Sequence, residues 1–378
     1  MNILHVTTYV QGGAGRIIKD LLICQKKRGH HVYLVINEVE ESGYLNYPEY
    51  LEAISEEGIE VFRVHSTFKR DIYLNLIAAD SVRKVLLEKS IDMIHTHAAV
   101  PSLVSIIARS SLERRIPILQ TLHGWGLNKN PTQERMDVTI MNSIDKTIGV
   151  SYSEKSLVIS KGTEPSQIDV IYNGIEDQKS VETAEDDVVK IMKSKSEAGY
   201  TVIGCIGTVC SRKNQELVLM TLSKHHQFDK LFFLFIGDSE KEKVKELTTF
   251  AKENSISESI YFAGYRENAS NYLRCMDFLI LPSLSEGLGI AIIEGFRARI
   301  PVLSSSIEPF KELIVDGETG FIFNNDPDSL FQKLQEVVNL KIEEKHRITE
   351  KAYAFYKNSF TLNSMLDNYQ NAYEKLQR

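Results

Sequence analysis

The chain has 378 residues, enough for two domains that each bury a core of their own. Apolar residues make up 43% and charged residues 25%, the balance of a globular protein rather than a disordered or membrane-embedded one. With 44 basic and 51 acidic residues the formal charge is −7, which argues against non-specific attachment to nucleic acid. The opening residues Met1-Asn2-Ile3-Leu4-His5-Val6 carry no basic region ahead of a signal-type apolar run, and no stretch is long enough to span a bilayer. A cytoplasmic location is therefore expected. Cys24, Cys205, Cys210 and Cys275 form no Cys-x-x-Cys pair and fall in apolar surroundings, which points to buried thiols rather than disulfides or a metal site.

Strand and helix patterns alternate along the chain. Ile3–Thr7 reads as a strand that runs into Gly12-Gly13-Ala14-Gly15-Arg16 and a helix from about residue 17 to Lys27. Strands follow at His31–Ile36 and Val61–Val64, then helix around Tyr73–Lys89, then strands at Met93–His95, Ile118–His123, Thr147–Val150 and Asp169–Tyr172. Residues from about 176 to 199 are polar and read as a linker plus a surface helix. Val202–Ile206 restarts the pattern, followed by a helix from about Gln215 and strands at Phe232–Ile236, Ile260–Phe262, Met276–Leu281 and Pro301–Ser304. The tail from about Glu343 is helical and rich in aromatics. This order predicts two doubly wound α/β domains with parallel sheets. The expected bounds are 1–175 for the first, 176–350 for the second, and 351–378 for a helical tail packing back across both.

Several motifs could carry chemistry, and each has a plainer reading. Gly12–Gly15 opens the first helix, where a glycine loop lets backbone N–H groups approach a phosphate; the plain reading is a tight turn. It lacks the GxGxxG spacing, and only Glu38 could serve as a ribose acid, so a dinucleotide site is the weaker alternative. Arg212 and Lys213 lie on the first βα loop of the second domain, where two cations suit a diphosphate or simply form a solvated turn. His123 ends a strand just before Gly124 and Trp125; it reads as a site residue or a structural one. His95 and His97 point the same way on their strand, either as a metal pair or, the favoured reading, as packing. Glu286 and Glu294 lie eight positions apart around Gly287-Leu288-Gly289, after a buried strand. Glu286 is expected on the loop and Glu294 two turns into the helix; were both helical, eight steps would leave them roughly 80° apart and about 12 Å along an axis, so they could hold two ends of one extended ligand. Glu294 sits in the apolar run Ile290–Phe296, where a carboxylate calls for a polar partner.

Together these motifs resemble the retaining glycosyltransferases of the family 4 type. The likeness runs through Gly12–Gly15, Ile94-His95-Thr96-His97, Thr121-Leu122-His123-Gly124, Ser151–Glu154, Val170–Ile175, Gly207–Asn214, Phe235–Asp238, Phe262–Arg266, Glu286–Glu294 and Glu312–Phe321. The resemblance implies the GT-B fold, two Rossmann-like doubly wound domains facing a central cleft. It implies catalytic roles for His123, Glu286 and Lys213. Donor binding would involve Gly13, Thr208, Arg212, Lys213, Tyr265, Arg266, Leu288, Gly289, Ile290 and Glu294, with Lys213 on the diphosphate, Glu294 on the ribose and Glu286 on the sugar. The acceptor would lie near Gly15 and Arg16, and the loop Gly124–Met136 would shape its pocket. The family usually carries an arginine where this chain has Thr208; Arg212 is the candidate to supply that charge.

The implied activity is transfer of a hexose or N-acetylhexosamine from a nucleotide-diphosphate sugar, most readily a UDP-sugar. The acceptor would be a hydroxyl of a glycan, glycolipid or small molecule, as in cell-surface polysaccharide synthesis. No cofactor or metal is implied, because side-chain cations and a helix N-terminus replace the ion. A UDP-sugar epimerase of the same fold and a non-catalytic nucleotide-sugar-binding protein are the alternatives. Lys69-Arg70, Arg83-Lys84 and Arg109–Arg115 leave open a peripheral contact with the inner membrane face, against the plainer reading of solvated helix faces. The oligomeric state is not legible.

Overall fold

The computed structural model describes residues 1–40, 45–66, 70–126, 129–177, 186–225 and 230–378. The chain divides into two compact units, one of Met1–Gly174 with Leu362–Arg378 and the other of Ile175–Thr361.

The first unit holds seven strands: β1 (Asn2–Val6), β2 (His31–Asn37), β3 (Glu60–Val64), β4 (Met93–Thr96), β5 (Ile118–Leu122), β6 (Lys146–Gly149) and β7 (Ile168–Val170). They lie in the order β3-β2-β1-β4-β5-β6-β7, every ladder parallel. Apolar side chains alternate across the sheet. Leu4, Val6, Val35 and Ile94 pack on one face against Ala78, Val82 and Val104 of the helices Ile72–Glu88 and Ala99–Ser110. Ile18 and Leu22 of the helix Gly12–Lys27 cover Val32, Leu34 and Ile36 on the other. That first helix begins at the glycine loop itself, five residues ahead of its expected start, so Gly12–Gly15 forms its first turn.

The second unit holds β8 (Thr201–Ile206), β9 (Leu231–Ile236), β10 (Ile260–Gly264), β11 (Phe278–Leu281), β12 (Val302–Ser305) and β13 (Phe321–Phe323), in the order β10-β9-β8-β11-β12-β13. Its core gathers Ile203, Phe233, Phe235, Phe278, Ile280 and Leu303 with Leu217 and Leu334 from the covering helices. In both sheets the order reverses beside the first strand of the unit, β1 or β8, the switch point at which doubly wound sheets bind ligands past the strand C-termini.

The tail is not one piece. The helix Ile342–Ser359 stays with the second unit, where Tyr356 donates to the Ile175 carbonyl and Ile175 N–H donates to the Phe360 carbonyl at 3.0 Å. The helix Leu362–Gln377 belongs to the first unit, with Tyr369 and Tyr373 fully buried there. Of the expected surface segment, Asp187–Glu197 is a helix, and 178–185 lie outside the described residues. Residues 127–128 of the acceptor loop lie outside them as well.

Candidate active site

The charged centre of the second unit is built from two loops. After β8 the chain turns at Gly207 and enters a short 3-10 turn, Ser211–Lys213, which ends at Asn214 in the left-handed region at φ 55°. Gln215, buried, ties this loop by donating to the Thr208 carbonyl. The second loop follows β11 and runs to Gly289. The two are joined by Leu284 N–H donating to the Arg212 carbonyl at 2.8 Å. Gly207 leaves a lane for Lys213, since a Cβ there would come 3.3 Å from the lysine Cε and Nζ.

These loops place both cations on Glu286. Lys213 Nζ lies 2.6 Å from Glu286 Oε1 and Arg212 Nη1 lies 3.1 Å from Oε2. Ser283 Oγ donates to Oε1 at 2.9 Å, and Arg212 also donates to the Ser285 carbonyl at 2.9 Å. The Glu286 side chain is 11% exposed, Lys213 17% and Arg212 43%, so Lys213 is the partner held away from water. Burial opposes ionisation of Glu286. Lys213, then Arg212, with hydrogen bonds from Lys213 and Ser283, outweigh it and hold the carboxyl below its ordinary value of 4.5. Ser283 carries no motif in the sequence; its place three residues before Glu286 is the signal that could have found it.

Three residues on, Gly289 caps the helix Ile290–Ala298 at φ 99° and ψ 66°. A Cβ there would lie 2.5 Å from Phe310 Cε1, so both its backbone and its surroundings demand glycine. Leu288 is buried behind the turn. Glu294 is the fifth residue of this helix, one turn in rather than the expected two, and is buried. Gly295 presses the helix onto the sheet, with a Cβ position 2.6 Å from Val302 Cγ2. Thr208 is exposed, and Arg212 is the cation that joins Lys213. Tyr265 is 41% exposed past β10, and Arg266 is engaged by Asp187 at 3.0 Å. Two of the four cysteines, Cys205 and Cys210, are buried as expected, while Cys24 and Cys275 are partly exposed.

The first unit gathers uncharged polar groups instead. Gly13 is exposed at the start of the first helix. Gly15 is buried, and a Cβ there would sit 2.6 Å from the Val10 carbonyl carbon, so this glycine serves the turn's own packing. Arg16 lies 3.9 Å from Asp20 on the same helix. His123, just past β5, places Nε2 3.1 Å from His97 Nδ1. His97 Nε2 lies 3.0 Å from His5 Nδ1, and His5 Nε2 lies 2.8 Å from Gln25 Oε1. His95 bridges Tyr373 Oη at 2.7 Å and Thr121 Oγ1 at 2.8 Å. The ring nitrogens of His5, His95 and His97 come within reach of a common metal ion, yet all six already have hydrogen-bond partners. Burial holds His5 and His123 near 4 and His95 and His97 well below 6.5, so the rings are neutral at physiological pH.

The basic residues read as a membrane-facing set sit on carboxylates. Arg70 chelates Asp137, Arg83 and Lys84 share Asp80, Arg109 and Arg115 share Asp145, and Arg114 meets Asp92; Lys69 lies outside the described residues. Among the described residues no helix is long and apolar enough to cross a membrane.

Two family models fit the chain in tandem, Glycosyltransferase Family 4 over residues 11–179 and Glycosyl transferases group 1 over 189–355. The chain belongs to the family 4 type of glycosyltransferases, with the GT-B fold. It is similar to the O-antigen biosynthesis glycosyltransferase WclY of Escherichia coli, 22% identical over 363 residues that cover 94% of this chain and 97% of that one. It is also similar to the UDP-Gal:alpha-D-GlcNAc-diphosphoundecaprenol alpha-1,3-galactosyltransferase of Escherichia coli, 23% identical over 69% of this chain and 70% of that one. Among solved structures, Anabaena Alr3699/HepE in complex with UDP and glucose matches with a TM-score of 0.83 at 19% identity, covering 99% of this chain and 100% of that one. At that identity the match speaks to the fold.

Proposed function

We propose that this glycosyltransferase moves a hexose or N-acetylhexosamine from a UDP-sugar to a hydroxyl of a glycan or glycolipid acceptor, with retention of anomeric configuration and without a metal ion. The observation that carries this reading is the pair of cations, Lys213 and Arg212, held on Glu286 three residues before the helix N-terminus at Gly289. A leaving diphosphate needs positive charge that is already oriented, and side-chain cations beside unpaired backbone N–H groups supply it. The names of the relatives lend support: one acts with UDP-Gal, one belongs to O-antigen biosynthesis, and a structure of the same fold holds UDP and glucose.

In the proposed reaction the bond between the anomeric carbon and the β-phosphate oxygen breaks while Lys213 and Arg212 offset the charge left on UDP. The acceptor oxygen bonds to the anomeric carbon from the face the phosphate leaves, and its proton passes to a phosphate oxygen. Glu286 orients the sugar and Glu294 the ribose. Thermal denaturation against a panel of UDP-, GDP- and ADP-sugars tests this: a UDP-sugar at saturating concentration should raise stability by about 3 kcal/mol at a hundredfold excess over its dissociation constant. A flat response across the panel would sink the reading.

A further inference from the structure

We infer that His97, His5 and Gln25 are positioning residues that fix the tautomer of His123, so that its Nε2 carries the proton and its Nδ1 is left as a bare lone pair. The inference stands on the first unit alone.

The line of hydrogen bonds is directional because each ring in it is neutral. A neutral imidazole has one N–H and one lone pair, so each ring passes on the polarity it receives. Gln25 sets that polarity at the far end. Its Nε2 donates to Tyr373 Oη at 2.9 Å, which turns its Oε1 toward His5 Nε2 at 2.8 Å. Oε1 can only accept, so His5 carries its proton on Nε2 and offers Nδ1 as a lone pair. His97 Nε2, 3.0 Å away, must then donate, which leaves His97 Nδ1 as the acceptor. His123 Nε2, 3.1 Å from that atom, donates in turn. The proton count of neutral His123 is complete at that point, and Nδ1 is bare.

The Tyr373 hydroxyl is compatible with the same sense. Burial raises its pKa well above 10, so it keeps its proton. It accepts from Gln25 and gives its own proton to His95 Nδ1 at 2.7 Å; His95 Nε2 then donates to Thr121 Oγ1 at 2.8 Å. Reversing Gln25 would reverse the whole line and leave an N–H at His123 Nδ1. That atom is covered and has no hydrogen-bond partner among the described residues. A buried orphan N–H is the rarer and costlier of the two choices. The bare lone pair can only accept, so a group that meets it must be a hydrogen-bond donor, such as a hydroxyl, and not a phosphate oxygen.

The test is a long-range proton–nitrogen spectrum of the full chain labelled with nitrogen-15 histidine, with His123 assigned by its loss in a His123→Gln variant. In the free protein His123 should show a protonated Nε2 and an unprotonated Nδ1. Gln25→Met keeps the side-chain length two rings away and removes the acceptor; His123 should then become a mixture of tautomers, which a packing role would not produce. His97→Phe should do the same, and either variant alone suffices if the other fails to fold. A wild-type His123 protonated on Nδ1, or one whose tautomer is indifferent to both variants, overturns the relay.

Discussion

Replacing Glu286 by glutamine gives the sharpest test of the charged cluster. In the free protein the carboxylate neutralises Lys213 at 2.6 Å, so a diphosphate seated on that lysine must share it with a resident anion. A phosphate oxygen on the far side of Nζ would lie roughly 5 Å from the carboxylate, two hydrogen-bond lengths away. A unit anion there is repelled by about 0.8 kcal/mol in water and about 3 kcal/mol at the effective dielectric of a protein site. Glutamine keeps an oxygen for Lys213 and removes the charge, at the loss of roughly 1 kcal/mol of charge-assisted bonding that orders the lysine. The net expectation is UDP binding about five- to tenfold tighter in Glu286→Gln, an advantage that shrinks as salt screens it. Transfer from the UDP-sugar should fall, because the sugar loses its carboxylate. Calorimetric titration with UDP at low and high salt measures this, with uridine, which has no phosphate, as the control that should not change. UDP binding tenfold weaker in a variant of unaltered fold would show that Glu286 serves the diphosphate site only by ordering Lys213, and the argument would fail. Stability follows its own sign. Lys213 and Arg212 hold the carboxyl below 4.5, so its contribution to folding is complete above that value and is lost as pH falls through the lowered one. Glu286→Gln should therefore cost about 1–3 kcal/mol at neutral pH and lose that difference in acid.

Gly289→Ala should lower the melting temperature and weaken UDP binding, since left-handed backbone costs an alanine about 1–2 kcal/mol and its methyl would meet the Phe310 ring at 2.5 Å. Adding Phe310→Leu should recover part of the loss, and no recovery would refute the steric share. Arg212→Ala should weaken UDP about tenfold, the scale of a charge-assisted hydrogen bond, with little change in stability because its side chain is 43% exposed; unchanged UDP affinity would show that Thr208 leaves a charge that nothing replaces. Burial lowers His5 from 6.5 to about 4, so the unfolded chain binds that proton first and stability falls as pH drops from 6.5 toward 4. The slope should approach 1.4 kcal/mol per pH unit for such a histidine, and a His5→Asn variant followed by thermal denaturation across this range should show a shallower one.

The strands were legible because parallel strands buried on both faces are short apolar runs, and those of both units fall within a few residues of their expected positions. Four helices of the first unit were not, Tyr152–Ser160 among them. Pro48–Glu56 and Pro131–Ser143 begin with proline, and the second mixes Gln133, Glu134 and Arg135 into its first turns; its readable signal was the capping box between Asn130 and Gln133. Ala99–Ser110 carries Pro101 in its first turn, which in a sequence reads as a break. β13 has three residues, too few for any period to show. At the site, Glu286, Lys213 and Arg212 were each singled out, but their meeting depends on a hydrogen bond between two loops, from Leu284 to Arg212, that no spacing announces. The histidines show the same limit. His95 and His97 read as packing, and His5 carried no signal, because the partner of His95 is Tyr373, 278 positions away. Only register puts His5 beside His95 on neighbouring strands.

The charged cluster of the second unit and the histidine line of the first handle buried polarity in opposite ways, and this bears on how each can act. The second unit concentrates full charges, two cations on one carboxylate, which are stable because they are paired. The histidine line of the first unit carries no charge: four histidines, Gln25, Thr121 and two tyrosines are buried neutral, and each of the rings depends on the orientation of the next. Screening by salt acts on charges and hardly on neutral hydrogen bonds. Steps that depend on Lys213 and Arg212 should therefore weaken steadily with ionic strength, whereas the tautomer of His123 should not change. A titration of UDP and a nitrogen-15 spectrum of the histidines over the same salt series separate the two. UDP affinity should fall while the His123 tautomer stays fixed, and a tautomer that shifts with salt would place a charge in a line of neutral rings.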